Sequence, residues 1–203
     1  MIGELIKENI KIIFFCSLLF SLSFAVTSIS LQGSQSGIKD VIEPVYNEIV
    51  KQIRTGELTI SPGSIFKHNL ITASLIYLSV IPYDEQYIPA PLIGTCLYLV
   101  ANASIIAYMV FFMVEKGLNI YTVLFLLVPH GIFEIPALIL VGTAGIRFWK
   151  SLITFTVERE MEDVKKGIRS SIILFFISIL LFIIAAFIES EITATLAYRL
   201  IPK

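Results

Sequence analysis

Long apolar runs divide this chain, at residues 10–29, 65–81, 88–114, 120–149 and 168–192. A helix needs about 20 such residues, at roughly 1.5 Å each, to cross the hydrocarbon core of a bilayer. Continuous runs of this length read as membrane-spanning helices. The composition agrees. Of 203 residues, 56% are apolar and only 15% charged, where a soluble domain carries about a quarter charged. Mean hydropathy is +0.86. The expected fold is all-α: a multi-span transmembrane bundle of about five spans. It forms one integral membrane domain over residues 1–203, with a first span at 10–29 and a helical core from 65 to 192. No stretch between the runs is long enough for a soluble core.

The same numbers exclude other classes. A net charge of -1, without basic clusters interleaved with aromatics, argues against a nucleic-acid partner. Cys16 and Cys96 both sit in apolar runs, with no spacing that suggests a disulfide or metal set. No cofactor is expected. The first run resembles a signal peptide, with Lys7 and Lys11 near its start, but its core is long for one and reads as a retained anchor.

Basic residues set an orientation. Lys150, Arg159, Lys165 and Lys166, flanked by Arg147 and Arg169, lie between the fourth and fifth runs. The positive-inside rule puts that link in the cytoplasm. The expectation is a multi-pass protein of the cell membrane, N-terminus cytoplasmic and C-terminus external. Residues 148–164 mix apolar and charged positions and read as a separate cytosolic helix.

The long connection between the first two runs then lies outside. Ile38, Val41, Ile42, Val45, Ile49 and Ile53 recur there at helical spacing, with polar residues opposite. An external amphipathic helix over 38–57 is expected. Its polar face is poor in Lys and Arg, so anionic lipid is a weak partner for it. The default reading is a helix packed on the outer ends of the bundle; among functional readings, contact between subunits of a homo-oligomer is the stronger.

The fourth run holds the densest functional signal. Residues 129–136 read Pro-His-Gly-Ile-Phe-Glu-Ile-Pro. Ionisable groups at membrane depth usually face a partner or a watery cavity. His130 and Glu134 are four apart, so a helix puts them on one face. Pro136 and Pro129 lack the N–H that would pair the carbonyls of Ile132 and Phe125. A kinked span or two half-helices is expected. Asn69, Asn102 and Glu189 are further polar candidates at membrane depth or its edge. Gly142, Ala144 and Gly145 are small enough for close helix packing. The default role of His130 and Glu134 is a hydrogen bond that holds helices together. A metal site needs more ligands; Glu189, His68 or Glu191 would have to supply one, and no metal motif is present, so no metal is expected.

The string His130-Gly131-x-x-Glu134-x-Pro136-Ala137, followed by Ala144-Gly145, resembles the stage II sporulation protein M family. Phe66-x-x-Asn69 and Ala185-Ala186-Phe187-Ile188-Glu189 resemble its other recurring motifs, in matching order. The resemblance implies a multi-span membrane protein. The bacterial namesake is the membrane scaffold of a complex with cell-wall-degrading partners, and the family also occurs in organisms that make no spores. Its recurring residues map onto Asn69, His130, Gly131, Glu134 and Glu189.

The leading expectation is a non-enzymatic, homo-oligomeric scaffold or pore in the membrane. Its partners would be membrane lipid, other copies of the chain and a separate envelope protein. A transporter or exporter of a small solute or lipid is the alternative, and an intramembrane hydrolase stands third.

Overall fold

A computed structural model describes residues 2–31, 61–83, 86–89, 92–158 and 161–200. The amphipathic helix expected over 38–57, with its oligomer-contact residues, lies outside the described residues.

Helix α1 spans Ile2–Leu31, α2 Pro62–Leu78, α3 Ile93–Glu115, α4 Ile120–Glu158 and α5 Met161–Ile188. Among the described residues, four stretches are long and apolar enough to cross a membrane: Ile2–Leu31, Ile93–Glu115, Ile120–Phe155 and Met161–Ala197. The remaining expected span, α2, has 17 residues, the lower end of what crosses a bilayer. Local chemistry starts α2 cleanly. The Ser61 hydroxyl accepts from the backbone N–H of Ser64 at 3.1 Å, and Pro62 occupies the first turn, where its missing N–H costs nothing.

Between α2 and α3 the chain forms a small antiparallel hairpin. Strand β1, Val80–Tyr83, pairs with β2, Gln86–Pro89, in the register Val80 with Pro89. The third span therefore starts at Ile93 and not at residue 88. Pro82, Pro89 and Pro91 explain the shift, because a residue before proline avoids the helical region. Ser79 and Leu92, at φ 50° and 64°, turn the backbone in and out of the hairpin.

Residues 148–164 are likewise not a helix of their own. Helix α4 runs on to Glu158, and α5 begins at Met161. No Gly or Pro lies between residues 146 and 166 to end α4 at the membrane edge. At 39 residues it is about 58 Å long.

The core gathers side chains from all five helices: Cys16 and Phe20, Ala73 and Ile76, Leu99 and Ala103, Ala137, Leu138 and Val141, and Phe182. Helices α4 and α5 share the most extensive seam, and α1 leans mainly on α3. Polar ties stitch the end of the bundle near the start of α1. Buried Asn9 donates to the Leu5 carbonyl at 2.8 Å and to Ser170 Oγ at 2.9 Å. Tyr77 pairs with Ser171 at 2.8 Å. Ser79 pairs with Thr95, whose hydroxyl also donates to the Ile76 carbonyl at 3.1 Å. Glu8 meets Lys166 at 2.8 Å on the surface.

Candidate functional site

Helix α4 carries His130 and Glu134 one turn apart, and the i,i+4 spacing places both on the same face. His130 is buried, with 8% of its surface exposed, and Glu134 is partly buried. His130 Nε2 lies 3.9 Å from Glu134 Oε2, too far for a hydrogen bond. Both prolines sit inside α4, and the helix continues through them. The chain does not divide into two half-helices here.

The interruption falls on the facing element instead. After Ile188 the backbone widens into a π-helical turn, Glu189–Thr193, before α6, Ala194–Leu200. The Ala194 N–H reaches back five residues to the Glu189 carbonyl. Such single π turns recur at functional sites, because the extra residue re-aims side chains. Here the turn delivers two groups. The Thr193 hydroxyl lies 3.1 Å from His130 Nδ1. A carboxylate oxygen of Glu189, one of Glu134 and a ring nitrogen of His130 all lie within 4.8 Å of one another.

The start of α2 supplies the third wall. Ser64, Ile65, His68 and Asn69 line an open cleft of about 310 Å³ with Glu134 and Glu189. Asn69 is 7% exposed, and its Nδ2 is buried without a hydrogen-bond partner. Among the described residues, neither Glu134 nor Glu189 pairs with a lysine or arginine. Two carboxylates this close repel unless one holds a proton or a cation lies between them.

The fold thus brings together His130, Glu134, Glu189 and Asn69, all singled out in the sequence. It leaves Asn102 out, since that amide donates to its own helix at the Tyr98 carbonyl, 2.8 Å away. Glu191 is exposed and does not join the cluster, and Pro136 faces outward. Gly131 has open space: a Cβ there would meet only Ile135 Cδ1, at 4.0 Å. Further along α4, Gly142 packs on Leu99 and Gly145 on the Ile76 carbonyl, while Ala144 is buried. Sequence reasoning missed Thr193 and the π turn. The only trace of them is the polar stretch Glu-Ser-Glu-Ile-Thr closing the last apolar run.

A long-helix bundle with a small polar cleft among apolar side chains defines a multi-pass membrane protein. Residues 10–194 match the family model of stage II sporulation protein M. The chain belongs to that family. It is 29% identical to an uncharacterized protein of Methanocaldococcus jannaschii, over 96% of this chain and 88% of that one. A second uncharacterized protein of that organism is 38% identical over 77 residues, covering 37% of this chain and 43% of its own. No solved structure matches.

Proposed function

We propose that this chain is a non-enzymatic, homo-oligomeric scaffold or pore-forming protein of the cell membrane. Its N-terminus is cytoplasmic and its C-terminus external, so the cleft opens in the outer half of the membrane. Gly131 carries the reading. Glycine costs about 1 kcal/mol in a helix relative to alanine, yet among the described residues nothing needs its smallness: the nearest side-chain atom, Ile135 Cδ1, is 4.0 Å from where a Cβ would sit. A partly exposed glycine on a membrane helix suits the close approach of a second backbone. Symmetric copies meeting there would close into a ring or dimer. In this reading the His130 cluster ties α4 to the π turn and holds that surface in shape.

Mass measurement and electron microscopy of the purified protein in lipid nanodiscs test it. A closed assembly supports the proposal and makes conductance and lipid passage the next assays. A monomer at all concentrations overturns it. Glu134→Gln should weaken assembly or stability. A variant that assembles normally and loses a transport or hydrolytic activity would point instead to chemistry within one subunit.

One contact favours a second reading, an intramembrane hydrolase. Thr193, His130 and Glu134 follow the order of nucleophile, base and orienting acid, with the hydroxyl 3.1 Å from the ring. The 3.9 Å gap from His130 to Glu134 weakens it. The transporter reading leaned on a broken fourth span, and α4 is continuous.

A further inference from the structure

We infer that His130, Glu134 and Glu189 bind one divalent first-row metal ion inside each subunit, with Asn69 beside its open coordination position.

One imidazole and two carboxylates form a ligand set that suits zinc or manganese. Ligands about 2.1 Å from a tetrahedral ion stand roughly 3.4 Å apart. The donor atoms already lie within 4.8 Å of one another, so small side-chain rotations close the site. The charges match as well. Two carboxylates offset the ion, and no described lysine or arginine competes for them.

Two neighbours fit as supports. Metal-bound histidines usually fix their ring through the nitrogen that does not bind the ion. Thr193 Oγ1 stands 3.1 Å from His130 Nδ1. With Nδ1 donating to that hydroxyl, Nε2, the nitrogen on the Glu134 side, keeps its lone pair for the ion. The second neighbour is independent of the acidic groups. Asn69 lines the same cleft, is more than nine-tenths buried, and holds an N–H with no acceptor. A buried donor left unpaired is expensive. Water on the ion's fourth position would accept that hydrogen.

The ligands come from α4 and from the π turn, so the ion would clamp two elements that already meet through the Thr193–His130 contact. That accounts for a π turn at this place. An uninterrupted α-helix would change the angular offset between Glu189 and Thr193, both of which the cluster uses.

The test uses the full chain, tag-free, in detergent micelles after chelator treatment. Equilibrium dialysis against zinc and, separately, manganese counts ions per chain. Thermal melting is followed with and without metal. The expectation is one ion per chain for at least one metal, a rise in melting temperature on binding, and at least tenfold weaker binding in Glu189→Gln. Asn69→Ala should weaken binding about tenfold, as the loss of an outer partner does. A folded wild-type chain that binds neither metal overturns the inference. So does a Glu189→Gln variant that binds as tightly as wild type. The count is made per chain whatever the oligomeric state, so its failure is distinct from a failure of assembly.

Discussion

Two consecutive stretches of α4 are built on opposite principles. From Ala137 to Gly145 the helix is packed on its neighbours, with Ala137, Val141 and Ala144 fully buried. From Pro129 to Pro136 the same helix is loosely covered: Ile132 is 61% exposed, a Cβ on Gly131 would meet only Ile135 Cδ1 at 4.0 Å, and the polar groups stand around a cleft. In the packed stretch small residues exist to let backbones approach. At the open stretch His130, Glu134, Glu189 and Asn69 stand around a cleft instead of filling it. Both are glycine-containing pieces of one apolar run, and the ionisable pair in the open one is what sets them apart in the sequence.

The comparison is broken most directly at Gly145. A Cβ there would stand 3.0 Å from the Ile76 carbonyl oxygen and 3.0 Å from Thr95 Oγ1. The carbonyl belongs to a helix backbone and cannot turn aside. Gly145→Val should cost about 1–3 kcal/mol or more from overpacking, read as a loss of folded protein in a denaturant titration in micelles. An unchanged midpoint would mean that α2 and α4 are not held as closely as drawn.

The next effect contrasts a polar side chain that ties two helices together with the cluster around His130. Asn9 is buried and donates to Leu5 and Ser170. Interhelical bonds of this kind in membrane proteins are worth about 0.6–1.7 kcal/mol. Asn9→Ala should destabilise by that amount in the same titration and leave metal uptake unchanged. If it instead abolished metal uptake, the two ends of the bundle would be coupled, and the separation drawn between packing and site would fail.

How much of this was legible in the sequence follows from which interactions are local. The spans were legible because lipid demands continuous apolar runs, and α3, α4 and α5 fall close to their expected places. The i,i+4 pair of His130 and Glu134 was legible because helical spacing alone sets it. Glu189 was legible as a polar residue in an apolar setting, but its meeting with that pair was not, since it depends on how α4 and α5 align over their whole length. The π turn and Thr193 were hidden for a related reason. A helix widens there through a choice of backbone hydrogen bonds, and Glu-Ser-Glu-Ile-Thr does not spell that choice. The prolines pointed to a kinked span or two half-helices; of these the two half-helices do not form, since α4 passes through both prolines, and the π turn lies one element further on. The hairpin at residues 80–89 was missed because Ile88 looked like the start of a span, although Pro89 disfavours the helical region for the residue before it.

The smallest effect sharpens the comparison at the open stretch. Gly131→Ala should be tolerated within a subunit and stabilise it by up to about 1 kcal/mol, the helix preference of alanine over glycine, because its methyl group finds only Ile135 at 4.0 Å. In a symmetric assembly the same methyl group would meet the backbone of another copy. The expected result is therefore split: a slightly higher denaturation midpoint for the detergent-dispersed subunit, and a weaker oligomer in nanodiscs. Alanine that stabilises the subunit and leaves the oligomer intact would remove Gly131 from the interface. Alanine that destabilises the isolated subunit would mean that α4 is covered there by another part of its own chain, and that the open stretch is packed after all.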